Sequence, residues 1–259
     1  MSNVKNERDL EAMRPACQVA AKVLDDVTSI IQPGMTTREI DNYAAERIKL
    51  YGGRSAFLGY RKYPCHTCIS VNEAVVHGLA NERRVMFGDI VSVDVGVIFN
   101  GFIGDNARTV AVGGCSMPVQ KLLDVTESAL YEGIAQAVAG NRVDDISRAV
   151  QRHVESNGFS VVREFVGHGV GRKMHEEPQI PNFVEPGKSS PKLRAGMTLA
   201  IEPMVNAGRP EVERLKDGWT VVSRDGSLSA HFEHTVLVTD SEPEILTCPQ
   251  KAPLKLKQP

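Results

Sequence analysis

Two stretches of this chain, just over a hundred residues apart, repeat one another, and no other sequence feature constrains the fold as much. Gly34, Ile40 and Gly52 recur as Gly140, Ile146 and Gly158, each displaced by 106 residues. The run Gly88-Asp89-Ile90-Val91-Ser92-Val93-Asp94 recurs as Gly196-Met197-Thr198-Leu199-Ala200-Ile201-Glu202, displaced by 108. Both runs place a carboxylate six residues after the glycine. Self-similarity at a fixed displacement marks a duplicated structural unit. The expected architecture is two similar helix-helix-hairpin halves, each delivering acids to a shared interface.

Local patterns fill in those halves. An amphipathic helix is expected over residues 9–31, stopped by Pro33-Gly34, and a second from Thr36 or Thr37 to Tyr51, stopped by Gly52-Gly53. Thr36 with Glu39 three residues on has the form of a capping box. Residues 55–79, rich in Tyr, Cys, Gly and His, read as irregular. After Gly88 the period changes: residues 90–98 read as a strand, Asn100-Gly101 as a tight hairpin turn, and residues 102–112 as the return strand. Helices are expected over 119–138 and 143–156, and a strand-rich region over 161–238. Residues 1–248 read as one domain, and the basic, Pro-containing residues 249–259 as a flexible tail.

Composition narrows the class. Hydrophobic residues at 42% and charged residues at 24% describe an ordinary globular protein, and a net charge of −2 gives no electrostatic argument for nucleic acid. No apolar run is long enough to span a bilayer, and the first residues resemble neither a signal nor a transit peptide. Five scattered cysteines do not form a disulfide framework and fit a reducing compartment, so a cytoplasmic location is expected.

The chemistry concentrates in four acids and a histidine. Asp94 stands among apolar strand residues, where an unpaired carboxylate is costly to bury. The turn at Asn100-Gly101 is expected to bring Asp105 beside it. Glu202 in Ile201-Glu202-Pro203 and Glu233 in Phe232-Glu233-His234 repeat the arrangement, with His231 and Thr235 on the face of Glu233. Any one of these acids reads most simply as a solvated strand face or a buried salt bridge. Four at matching positions do not, because Arg108 is the one basic residue near those strand centres. Clustered carboxylates repel unless protonated or bridged by cations, and four call for about two divalent ions. Added imidazole moves the preference toward Mn, Fe, Co or Zn.

The evident imidazole is His168 in Gly167-His168-Gly169-Val170-Gly171. That glycine pattern lacks the strand-loop-helix setting of a phosphate-binding turn. His175-Glu176-Glu177-Pro178 is not the zinc-protease helix motif, and Cys65-His66-Thr67-Cys68 has no second Cys pair to close a zinc site. For His77 and His175 taken alone, a hydrogen-bonded structural role is the simpler reading.

In combination, Asp94, Asp105, Gly167-His168-Gly169, Ile201-Glu202-Pro203-Met204 and Phe232-Glu233-His234-Thr235 resemble the ligand set of type I methionine aminopeptidases. The resemblance runs from about residue 8 to residue 246 and includes Ser70-Val71-Asn72-Glu73, His77-Gly78 and Lys216-Asp217-Gly218-Trp219-Thr220. It implies an α+β fold of the pita-bread (creatinase/aminopeptidase) type with a pseudo-twofold repeat. It implies two divalent ions per chain (Co, Mn, Fe or Zn), with Asp94 a bidentate ligand of one, Asp105 and Glu233 bridging, and His168 and Glu202 completing the other. Glu202 would also exchange the proton of a water or hydroxide bridging the metals. His77 would contact the scissile amide, and His175 would polarise the carbonyl. Phe57, Tyr60, Tyr63, Cys68 and Trp219 would line the pocket for methionine. Phe57 stands where many relatives carry a small residue or Cys, and Met174 where Phe is frequent; these departures bear on specificity rather than on the reaction.

The implied activity is removal of the initiator methionine from nascent proteins and peptides with a small second residue. The implied partners are those chains, with transient ribosome contact and without direct nucleic-acid or membrane binding, for a protein acting as a monomer. Two peptidases of the same fold fit less well: X-Pro enzymes usually carry a large additional N-terminal domain, and type II methionine aminopeptidases a long insertion in the second half. A non-catalytic protein on this fold would typically have lost ligands, whereas all five are present.

Overall fold

Asn6 opens the first helix: its side chain accepts a hydrogen bond from Asp9 N at 2.9 Å. In the computed structural model, which describes residues 4–248, that helix, α1, spans Glu7–Ile30. The expected tail, 249–259, lies outside the described residues. Met13, Ala16, Ala20, Val23 and Val27 recur at alternating spacings of three and four and are all fully buried. Helix α2 (Thr37–Leu50) begins at a complete capping box, with Glu39 N donating to Thr36 Oγ1 at 3.1 Å and Thr36 N to Glu39 Oε2 at 2.7 Å. Helix α3 spans Met117–Ile134 and α4 spans Val143–Ser156. The limits of α2 and α4 differ by the 106 residues of the sequence repeat at both ends.

A nine-stranded sheet crosses the molecule. Its strands are β1 (Arg54–Ser55), β2 (Cys68–Val71), β3 (Ile90–Phe99), β4 (Phe102–Ala111), β5 (Gly167–Gly169), β6 (Glu176–Ile180), β7 (Thr198–Ile201), β8 (Glu233–Leu237) and β9 (Glu244–Ile245). The order is β1-β3-β4-β8-β7-β5-β6, with β2 also on β3 and β9 on β8. β3 and β7 therefore occupy equivalent places about an axis between β4 and β8. The glycines that open them, Gly88 and Gly196, adopt φ of +91° and +87°, and Gly34 and Gly140 adopt +95° and +99°. The repeat is thus one of backbone conformation as well as of sequence.

Two apolar layers clothe one face of the sheet. Val91, Val93, Val95 and Val97 of β3 pack against Val23, Leu24, Ile40 and Ile48 of α1 and α2. Leu199 and Ile201 of β7 pack against Leu122, Leu130, Ile146 and Val150 of α3 and α4. Each such side chain contributes about 1.5–3 kcal/mol on burial, which commits these alternating residues to the helix side. By the period of two, Asp94 and its neighbours Ser92 and Gly96 are turned to the other face. Arg108 lies opposite Val93 and reaches the helix side, where it pairs with Asp25 at 2.8 Å.

Two expectations need correction. Residues 55–79 are not wholly irregular, since they contain β2 and the short strand Ala74–Val76. Helix α3 ends at Ile134, short of residue 138, because Val138 pairs with Thr239 and Ala139 N donates to Thr239 O at 2.9 Å. Asp94 and Asp105 are side by side, as expected, on a diagonal of the hairpin. The Asn100-Gly101 turn pairs Phe99 with Phe102, which sets Asp105 across from Gly96 and Asp94 across from Ala107. The two acids are diagonal neighbours on one face.

Candidate metal centre

Each acid reaches the open face of the sheet by a local device. Strands β3 and β4 supply Asp94 and Asp105, the residue after β7 is Glu202, and β8 begins at Glu233. Thr235 holds β8 to β4, its hydroxyl accepting from Asp105 N at 3.2 Å and donating to Asp105 O at 2.8 Å. His168 sits at the centre of β5, squeezed between β7 and β6. A Cβ on Gly167 would lie 2.4 Å from Ala200 O, and one on Gly169 2.5 Å from Glu177 O, so only glycines allow the histidine strand this close an approach. The segment after His175 is a strand, β6, as Pro178 required.

All five residues line one cavity of about 160 Å³. Asp105, His168 and Glu233 are buried and offer ligand atoms within 4.8 Å of one another; Asp94 and Glu202 are half-buried beside them and line the same cavity. His168 Nε2 stands 3.6 Å from Glu202 Oε1 and 3.7 Å from Asp105 Oδ2. These distances exceed hydrogen bonds. They suit donors sharing a cation, because ligands about 2.0–2.2 Å from one ion stand roughly 3–4 Å apart. His168 Nδ1 lies 2.9 Å from the carbonyl of Gly169, which leaves Nε2 to face the carboxylates.

The electrostatics are those of a site suited to cations. Burial, then repulsion from the neighbouring acids, holds Asp105 and Glu233 well above the usual carboxylate range. Burial pushes Asp94 up to about 7 and Glu202 up to about 8. Burial also lowers His168 to about 3, so no imidazolium neutralises the acids. Among the described residues, Asp94 Oδ1, Asp105 Oδ1 and Glu233 Oε1 are buried without a hydrogen-bond partner. Three partnerless oxygens of three acids on one cavity floor fit hard or borderline divalent ions.

The walls are apolar and aromatic. Phe57, Tyr60, Tyr63, Cys68 and Trp219 all line the cavity, as do His77, His175 and Met174. Phe57 fits there because the strand opposite carries Gly96, where a Cβ would lie 2.6 Å from the Phe57 ring. Tyr63 meets Trp219 edge-on at 5.0 Å. Tyr60 stacks on His175 and bonds its Nδ1 at 2.8 Å. His77, with φ of +58°, turns its ring edge-on to Phe165 and Trp219. Burial lowers it to about 4 and lowers His175 as well, so both rings are neutral near pH 7. Cys65 and Cys68 are free thiols.

His231 was not assigned a role from sequence. It is buried in this cavity, with Nε2 partnerless and 3.7 Å from Glu202 Oε2. Its signal was its alternation with Glu233 on one strand face. Arg61, Val76, Phe165, Val166 and Met204 complete the lining, and nothing in their local sequence marks them.

Comparison with known proteins agrees with this geometry. Residues 11–240 match the model of metallopeptidase family M24. The chain is 50% identical over 244 residues to a methionine aminopeptidase of Clostridium perfringens, a match covering 94% of this chain and 98% of the other. The crystal structure of methionine aminopeptidase from Thermotoga maritima superposes with a TM-score of 0.92 at 46% identity, covering 95% of this chain and 99% of that one. A prolidase from Pyrococcus furiosus, at 23% identity and a TM-score of 0.78, shares the fold; the match covers 96% of this chain and 66% of the prolidase. Among the described residues no helix is long and apolar enough to cross a membrane. From its acid-lined centre and its near full-length relatives alike, the chain belongs to metallopeptidase family M24, among the methionine aminopeptidases.

Proposed function

We propose that this chain hydrolyses the peptide bond after an N-terminal methionine, using two divalent ions held by Asp94, Asp105, His168, Glu202 and Glu233. The observation that carries the reading is the set of partnerless carboxylate oxygens on the floor of a cavity walled by aromatic side chains. Divalent ions bound there would supply Lewis-acid polarisation of the scissile carbonyl and make water acidic enough to ionise near neutral pH.

The chain's own residues do the rest. The acidic floor attracts the positive α-amino group of the substrate, which confines cleavage to the first residue. Glu202 takes a proton from the attacking water at its carboxylate and returns it to the leaving amine. Tyr60 occupies His175 Nδ1, so Nε2 is the atom free to meet the carbonyl oxygen as negative charge develops there. His77 lies across the cavity beside Trp219, where it can contact the scissile amide. Phe57, Tyr63 and Trp219 present the aromatic surface that an unbranched thioether packs against well. We further propose a requirement for a small second residue, since its side chain would sit against the crowded metal floor. Such substrates are new polypeptides, so we place the protein in the cytoplasm, working as a monomer in transient contact with the ribosome.

The test is hydrolysis of Met-Ala-Ser, Leu-Ala-Ser and Ala-Pro peptides with added Mn, Fe, Co or Zn. Cleavage of Met-Ala-Ser with little or none of the others is expected. Comparable kcat/KM for Met-Ala and Ala-Pro peptides would overturn the assignment to methionine removal while leaving the metal site standing.

A further inference from the structure

Trp219 is the one tryptophan of the chain, and it reaches the cavity from a loop rather than from the sheet that carries the acids. Strand Val221–Ser223 pairs with Val212–Arg214 on one side and with Ala74–Val76 on the other, and the turn between the first two holds Trp219. Val221 lies opposite Val76, which places Trp219 beside His77, the residue following that strand. The small sheet thus sets two walls of the cavity at once. Residues 215–218 of the turn are exposed, and burial alone does not fix its tip.

Asp217 does. One carboxylate oxygen accepts from both Trp219 N at 2.8 Å and Thr220 N at 2.9 Å, and the other accepts from Thr220 Oγ1 at 2.6 Å. Leu215 N donates to Thr220 O at 2.8 Å and Gly218 N to Leu215 O at 3.1 Å, closing the loop on itself. The indole then rests edge-on against Tyr63 at 5.0 Å and His77 at 6.4 Å. We infer that Asp217 is a positioning residue for the substrate pocket: its carboxylate clamps the turn so that Trp219 forms a fixed wall against the first side chain of the substrate. This rests on reading the cavity as the pocket for that side chain. Asp217 touches neither the floor nor the histidines, so its loss acts on ground-state binding and not on the bond-breaking step.

The experiment uses the metal-loaded protein and the emission of its single tryptophan. Free L-methionine should change the wild-type emission as it packs against the indole. In Asp217→Ala the emission should move to the red, and acrylamide should quench it about twofold more strongly, as for a wall released to solvent. The methionine titration midpoint and KM for Met-Ala-Ser should both rise about fivefold with kcat within about twofold, the scale of losing net hydrogen bonds of this kind. Asp217→Asn keeps an oxygen for the two amides and should reverse most of these changes. Unchanged quenching, midpoint and KM in Asp217→Ala would overturn the clamp. Wild-type emission indifferent to methionine would instead overturn the pocket reading, with the quenching comparison still deciding the clamp.

Discussion

Replacing Asp105 by Asn should make the protein more stable than the wild type without metal and less stable than the wild type with it. Asp105 and Glu233 offer ligand atoms within 4.8 Å of each other. Two unit charges at that distance repel by about 3.5 kcal/mol at an effective dielectric constant near 20. Without metal the pair avoids part of this by retaining protons, as their raised pKa values indicate. At a pH above the ordinary carboxylate range the metal-free wild type bears either that repulsion or the cost of taking up protons, so removing one acid should stabilise the chelated fold by up to about 3 kcal/mol. With cations at a thousandfold excess over Kd, the wild type gains about 4 kcal/mol, and the variant, short of a ligand, loses most of that gain. For a domain of this size each kcal/mol moves Tm by about 2–4 °C, so both differences are measurable. Thermal unfolding of both proteins at about pH 8.5, with chelator and with Mn, gives the four values needed. If Asp105→Asn lowers Tm equally in both conditions, the acids are ordinary structural residues and the electrostatic reasoning fails.

His175→Ala should leave metal content nearly intact while kcat falls about a hundredfold or more, the scale of losing one preorganised donor. Markedly lower metal content in a folded variant would show that His175 is a ligand instead. The chelated protein should also lose stability as pH rises. Asp94 and Glu202 are pushed up to about 7 and about 8, so the folded chain binds more protons there than the unfolded one. Their contribution is complete below the ordinary carboxylate range and is lost as pH rises through those values. The urea midpoint of the metal-free protein should show this decline, and metal should suppress it; a decline unaffected by metal would contradict the assignment.

Much of this was legible because the repeat is punctuated by glycines. Gly34 and Gly52 bracket α2 as Gly140 and Gly158 bracket α4, and the helix over 143–156 was read to the residue. The carboxylates were legible because an acid in an alternating apolar strand has few inexpensive explanations. Register was legible in outline: the turn at Asn100-Gly101 brings Asp94 and Asp105 side by side, and counting pairs from it sets Asp105 across from Gly96. Strands β2 and Ala74–Val76 escaped because they are short and buried on both faces, without alternation. The placement of His231, and of β5 between β7 and β6, depends on pairing between distant segments, which local pattern does not encode.

The most direct test of the central claim is hydrolysis of Met-Ala-Ser before and after verified removal of metal. Protein dialysed against chelator, with residual metal checked by elemental analysis, should be inactive. Titration with Mn or Co should restore hydrolysis and saturate near two ions per chain. Unchanged activity in metal-free protein would contradict the account, since the five residues would then be holding nothing the reaction needs.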